Sequence, residues 1–197
     1  MKMKTLKEIY NEIYIDSLTP ILVNGKLKAY SDKNTNHSYI DHLYENLFKD
    51  IRHSATKILE IGIFAGGSIL LWKEYFHNAQ IYGLDISYYK KEFEFDNRVT
   101  QIIGNAYSKS IVDIFNNDLF DVVIDDGPHT LESFQFFIQH YWNKVKPGGY
   151  LIIEDIFDPT LIPSLLNYLP SSATSIEVCD FRHVKNLFDD VVLVLKK

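Results

Sequence analysis

Apolar strand candidates recur along the chain over 57–61, 80–84, 99–103, 120–125, 150–154, 175–179 and 191–195. Segments of helical length and spacing fall between most of them, over 68–76, 108–115, 131–145 and 159–168. Runs of this kind suit strands buried on both faces, and strands alternating with helices build a parallel sheet covered on both sides. The pattern therefore predicts an α/β fold with a seven-stranded, mostly parallel sheet and helices on both faces. No clear helix separates the last two runs, so the final strand is expected to be antiparallel at the sheet edge. Pro147-Gly148-Gly149 is expected to turn the chain before the fifth strand. Ahead of the alternation, Leu6, Ile9, Ile13 and Tyr14 have helical spacing within 5–16. A turn at Asn24-Gly25, a polar stretch over 31–37 and a second helix over 39–48 follow. Residues 1–55 read as a short N-terminal helical cap on a core of residues 56–197, the whole forming one compact domain without internal repeats.

Composition narrows this little but excludes several classes. A chain of 197 residues has room for one domain with a sizeable core and is short for two. No apolar run approaches the ~20 residues of a membrane span. Met1-Lys-Met-Lys is not followed by the apolar stretch of a secretion signal, so the expected location is cytoplasmic. A net charge of −6 argues against a nucleic-acid partner held through phosphates, which requires clustered lysine and arginine. The run 89–96 mixes both signs and reads as a solvated loop or edge. The lone Cys179 has no internal partner and reads as a buried strand thiol. Trp72 and Trp142 read as core.

Candidate chemistry gathers at the strand ends. In open parallel sheets ligands bind beyond the carboxyl ends of the strands, so Glu60, Asp85, Asn105, Asp125, Asp126, Glu154 and Asp155 should converge on one rim. Leu59-Glu-Ile-Gly62-Ile-Phe64-Ala-Gly66-Gly67-Ser68 runs a strand through a glycine-rich turn into a helix, and Asp85 closes the next strand, where an acid can hold ribose hydroxyls. A dinucleotide fingerprint needs glycine where Phe64 stands, and Glu60 would repel a pyrophosphate. An acid there suits the amino group and sulfonium of S-adenosylmethionine. The expected contacts are Glu60, Gly62, Gly66 and Ser68 at the methionine end and Asp85 at the ribose, with Asp125 on the same side of the rim. Asn105, followed by Ala106, is either the adenine contact or simply a turn former.

The second motif is Asp125-Asp126-Gly127-Pro128-His129. Adjacent carboxylates at a strand end repel unless a cation or hydrogen-bond donors lie between them. Glu154-Asp155 ends the neighbouring strand, and carboxylates from two strand ends make an all-oxygen set suited to Mg2+ or another hard divalent ion. Taken singly, such acids are more often helix caps, and Asp126 could cap the helix beginning near Leu131. A histidine in a turn is usually polar surface, but His129 over this spot can take a proton from a hydroxyl acidified by a metal.

With these residues the chain resembles the metal-dependent O-methyltransferases of antibiotic biosynthesis, the macrocin and mycinamicin group, which act on sugar hydroxyls. The resemblance rests on Ser31-Asp32-Lys33 with His37-Ser38-Tyr39, on the glycine loop 59–68, on Ile124-Asp-Asp-Gly-Pro-His129 and on 147–155. It implies a Rossmann-like class I methyltransferase fold, S-adenosylmethionine as donor, cofactor contacts from Ser31, Lys33 and Tyr39, a divalent ion on Asp126, Glu154 and Asp155, and His129 as base. Pro128 stands where the family usually has serine. Ile156-Phe-Asp-Pro159 replaces the usual His and Thr, so the acceptor wall differs. The N-terminal segment is short, which leaves room for a neighbouring subunit of a homo-oligomer to complete the acceptor pocket. The expected reaction is methyl transfer to a hydroxyl of a sugar or a glycosylated or polyhydroxy small molecule. The rival is a cofactor-binding accessory subunit without catalysis.

Overall fold

The computed structural model describes residues 3–87, 97–117 and 119–197; the charged run 89–96 lies outside the described residues. The chain opens with helix α1 (Leu6–Ile13), capped reciprocally by Thr5 and Glu8, and a two-stranded hairpin, β1 (Ile21–Val23) and β2 (Lys26–Lys28), around the turn foreseen at Asn24-Gly25. The second predicted helix is present with an irregularity. Ile40–Tyr44 is wound as a π-helix before the α-helical turn α2 (Glu45–Phe48).

The alternating region then runs β3 (Lys57–Ile61), α3 (Gly67–Tyr75), β4 (Gln80–Asp85), β5 (Val99–Ile103), α4 (Lys109–Val112), β6 (Phe120–Asp125), α5 (Leu131–Tyr141), β7 (Val145–Ile153), α6 (Ile162–Leu166), β8 (Ser175–Asp180), α7 (Arg182–Lys185) and β9 (Val191–Lys196). The sheet has seven strands among the described residues, in the order β5-β4-β3-β6-β7-β9-β8. The first five are parallel, and β9 is antiparallel to both of its neighbours. The final strand is therefore antiparallel, as expected, but it lies inside the sheet rather than at its edge. Every residue of Val191–Leu195 is buried, whereas β8 exposes all but Cys179. A continuous apolar strand needs neighbours and cover on both sides, and the strand with polar positions takes the edge.

Successive strand residues face opposite sides, and both sides are covered. Ile58, Ile81, Val122, Ile124 and Ile152 join one core with α1, α2 and α3. Leu59, Leu84, Val123, Leu151 and Ile153 join another with Phe134, Phe137 and Tyr141 of α5. Leu6, Ile9 and Tyr10 of α1 share the first core with the sheet. Pro147-Gly148-Gly149 falls within β7 rather than before it: Phe120 pairs with Val145 and Val122 with Tyr150, so these residues bulge out of the ladder with Gly148 at φ +80°.

Candidate active site

Parallel register brings the strand ends level. Ile61 pairs with both Leu84 and Asp125, Asp125 pairs with Ile153, and Asp85 pairs with Ile103. The loops that leave these ends enclose a cavity of about 720 Å³, within the roughly 300–1,000 Å³ of small-molecule sites. Close approach of loops shapes its floor. A Cβ on Gly62, at φ +80°, would come within 1.9 Å of the Asp126 carbonyl oxygen, and one on Gly67 within 2.1 Å of the Tyr30 carbonyl oxygen. Only glycine lets the β3 loop lie on the β6 loop while residues 30–31 cross the start of α3. Three non-glycine residues with positive φ also line the cavity: Phe64 (39°), His129 (55°) and Asp155 (54°). Strained backbone of this sort collects where side chains must be aimed against local preference.

The cavity is lined by Gly62, Ser68, Asp85, Asn105 and Ala106. Asp85 accepts hydrogen bonds from the Ile63 amide at 3.0 Å and from Ser87, so it braces the glycine loop as well as facing the cavity. Asn105 Oδ1 accepts from the Tyr107 amide at 2.9 Å, so the turn-forming role is present at a residue that also lines the cavity. Ser31 arrives from the N-terminal segment. Asp126, His129 and Asp155 line the same cavity. His129 Nε2 lies 3.3 Å from Asp126 Oδ1 and 4.0 Å from Asp155 Oδ2.

Behind this wall Lys33 is 1% exposed, with its Nζ 3.0 Å from Glu60, 3.0 Å from Asp126 and 2.5 Å from Glu154. Burial alone would lower the ammonium pKa, but Asp126, Glu154 and Glu60 together hold it well above its ordinary value. Burial raises Glu60 and Glu154, with Lys33 opposing it in both. At Asp126 the attraction of Lys33 and the His129 hydrogen bond overcome burial and bring the carboxyl down to about 2. Asp155 is raised to about 7 by burial and by Asp126. Asp125 is also raised to about 7 by burial, against the hydrogen bond from Tyr107. Burial lowers His129, but the bond to Asp126 and the surrounding carboxylates carry it above its usual value.

Residues 59–156 match the family model described as a methyltransferase domain. This is a class I methyltransferase domain. Demethylmacrocin O-methyltransferase of Streptomyces fradiae is 33% identical over 123 residues, 58% of this chain and 31% of that protein. Mycinamicin VI 2''-O-methyltransferase of Micromonospora griseorubida is also 33% identical over 123 residues, 58% of this chain and 30% of its own length. Among solved structures, the MycE methyltransferase of the mycinamycin biosynthetic pathway, in complex with Mg, SAH and mycinamycin VI, superposes with a TM-score of 0.67 at 27% identity. That match covers 81% of this chain and 50% of MycE. The chain spans about a third of the length of these curated relatives.

Within the methyltransferase domain and the segment before it, several predicted residues do not reach the cavity. Lys33, Tyr39, Glu60, Gly66, Asp125 and Glu154 are absent from its lining, and Gly67 lines it in place of Gly66. Glu60 turns to Lys33 and to the Trp72 indole, which donates to it at 3.1 Å. The trio Asp126, Glu154 and Asp155 is divided. Asp126, His129 and Asp155 bring one ligand atom each within 4.8 Å of one another, and Glu60, Asp126 and Glu154 form a second such group. Glu154 and Asp155, consecutive beyond β7, engage different partners, Glu154 accepting from Tyr44 and Lys33 and Asp155 from Tyr39. The second group already surrounds the Lys33 ammonium. Asp126 and Asp155 offer oxygen on the open side, a donor set that fits a hard divalent ion. Sequence reasoning missed Tyr30, Tyr44 and Tyr107; Tyr39 and Tyr44 are five residues apart, the repeat of the π-helical turn that aims both at the carboxylates. No helix among the described residues is long and apolar enough to cross a membrane.

Proposed function

We propose that the protein is an S-adenosylmethionine-dependent O-methyltransferase acting on a hydroxyl of a sugar or of a glycosylated or polyhydroxy small molecule. One observation carries the reading: the glycine loop with Asp85 and Asn105 and the Asp126–His129–Asp155 group line one and the same cavity. Relatives support the acceptor class, since two more bear the names 8-demethyl-8-alpha-L-rhamnosyl tetracenomycin-C 2'-O-methyltransferase and L-olivosyl-oleandolide 3-O-methyltransferase. On this reading the loop after β3 and Ser68 meet the methionine end of the donor, Asp85 the ribose, and Asn105 with Ala106 the adenine. Glu60 and Lys33 act from behind by holding the charge balance of the wall. Asp126 and Asp155 would hold the ion, with Glu154 anchoring Lys33 against Asp126. A hard divalent ion there would acidify the acceptor hydroxyl and offset the negative field that raises His129. With the hydrogen bond to Asp126 given up and its ring neutral, His129 Nε2 accepts the hydroxyl proton, and the acceptor oxygen forms a bond to the donor methyl carbon as the carbon–sulfur bond breaks. Holding both reactants in one cavity supplies much of the rate.

Calorimetric titration with S-adenosylhomocysteine, with and without Mg2+, followed by Mg2+ titration of the complex, tests this. Binding of both ligands, followed by turnover in a screen of sugar hydroxyls, is expected. Cofactor binding with no Mg2+ response removes the metal roles of Asp126 and Asp155. Binding of both without turnover on any sugar points to the accessory-subunit reading, and no cofactor binding removes the proposal altogether.

A further inference from the structure

Asp190, immediately before β9, is wholly buried, and neither carboxylate oxygen has a hydrogen-bond partner among the described residues. Other acids in the protein are used by nearby backbone: Asp121 accepts from the Thr56 and Lys57 amides, and Asp158 from the Thr160 amide. Asp190 does neither. A buried carboxylate without such bonds is costly, so its surroundings matter. His37 is the group against it, with Nδ1 3.6 Å from Asp190 Oδ1. The other ring nitrogen, Nε2, stands 3.4 Å from Asp155 Oδ2. The imidazole thus bridges Asp190 and the carboxylate read above as an ion ligand.

The ring is held on its other sides as well. It stacks on Tyr39 with centroids 4.9 Å apart and planes 15° from parallel, and the Tyr39 hydroxyl donates to Asp155 Oδ1. Lys185 Nζ of α7 donates to the His37 carbonyl at 2.5 Å and to the Asn34 carbonyl at 2.7 Å, tying the His37 backbone to the segment that leads to Asp190. Both oxygens of Asp155 are therefore engaged by one stacked pair. Its backbone, at φ +54°, does not aim the side chain by ordinary strand geometry.

We infer that Asp190 is a positioning residue, which through His37 fixes the direction of the Asp155 carboxylate toward the ion. The inference rests on the reading of Asp155 as an ion ligand. Histidines and carboxylates behind a ligand commonly set its orientation, and their loss weakens metal affinity about 10–100-fold. Here the supporting residue lies 35 positions from its target along the chain, and the ring between them comes from the N-terminal segment.

The test compares the wild-type chain with Asp190→Asn, which keeps the shape and removes the charge, with His37→Gln, and with the double variant. S-adenosylhomocysteine and Mg2+ affinities are measured by calorimetry and melting temperatures by scanning calorimetry. In Asp190→Asn, S-adenosylhomocysteine affinity should stay within about twofold while Mg2+ affinity falls about 10-fold or more. His37→Gln should show the same split, and the double variant should lose no more than the larger single loss. A merely structural role would weaken both ligands together. Unchanged Mg2+ affinity in Asp190→Asn, or additive losses in the double variant, overturns the inference. If Asp190→Asn does not fold, His37→Gln decides alone, and unchanged Mg2+ affinity there overturns it. Failure of the wild type to bind Mg2+ is a different result, which removes the metal reading and this inference with it.

Discussion

Lys33 illustrates how much one residue can hold. Its ammonium is the shared partner of Glu60, Asp126 and Glu154, and it is almost fully buried. Replacement by methionine keeps the length and removes the charge, leaving three carboxylates to repel one another. Breaking a buried ion network in this way costs about 3–5 kcal/mol, so Lys33→Met should lose that much in denaturant unfolding. His129 is predicted to behave differently, because it is part exposed on the cavity wall and its removal leaves the ion network intact. His129→Ala should bind S-adenosylhomocysteine as the wild type does and lose about 10²–10⁴-fold in turnover. These roles differ in how far they could be read from sequence. The Asp126–His129 pairing is local, three positions apart, and visible in the motif. The turning of Glu60 away from the cavity to Lys33 and Trp72 depends on residues 27 positions before it and 12 after it, and no local pattern announces it.

Helix α1 shows that the first residues are structurally integral. Its capping box fixes the start, and Leu6, wholly buried, packs into the core that contains Ile58 of β3 and Trp72 of α3. Leu6→Ala should cost about 2–5 kcal/mol, measured by denaturant unfolding; a value near zero would mean that the segment contributes no core. Strand existence was legible because burial of the central strands on both faces demands mostly apolar runs, and five of the seven are parallel as alternation predicts. Strand order at the far end was not, although a signal existed: Val191–Leu195 is apolar throughout, while Ser175–Asp180 carries Ser, Glu and Asp. The short helix α7 permits the return that inserts β9 between β7 and β8. The bulge in β7 was read as a preceding turn because Pro147-Gly148-Gly149 has turn chemistry, which bulges share.

For the molecule as a whole, the buried acids tie stability to pH, and on the proposed reading ion binding should respond to pH in the opposite direction. Asp125 and Asp155 titrate at about 7 in the folded protein against 3.8 for a free side chain. The folded state therefore keeps protons that the unfolded chain releases, so their contribution is full at about pH 4 and below and is lost as pH rises to about 7. Asp126, lowered to about 2, acts oppositely, but only below about pH 4. Ion binding requires ionised carboxylates and strengthens over the same rise. The metal-free protein should thus melt at a lower temperature at about pH 8 than at about pH 5.5, and Mg2+ should raise the melting temperature more at the higher pH. Scanning calorimetry at both pH values checks this; an equal Mg2+ effect at both would separate Asp155 from the ion. The sequence by itself determined the alternating architecture, the glycine loop and the presence of acids at the strand ends, because burial periodicity, turn chemistry and strand polarity are local. Only the tertiary structure decided which acids share a cavity and which share Lys33, and that His37 links Asp190 to Asp155. Those outcomes depend on side-chain direction and on contacts between segments distant in the chain, which no local pattern encodes.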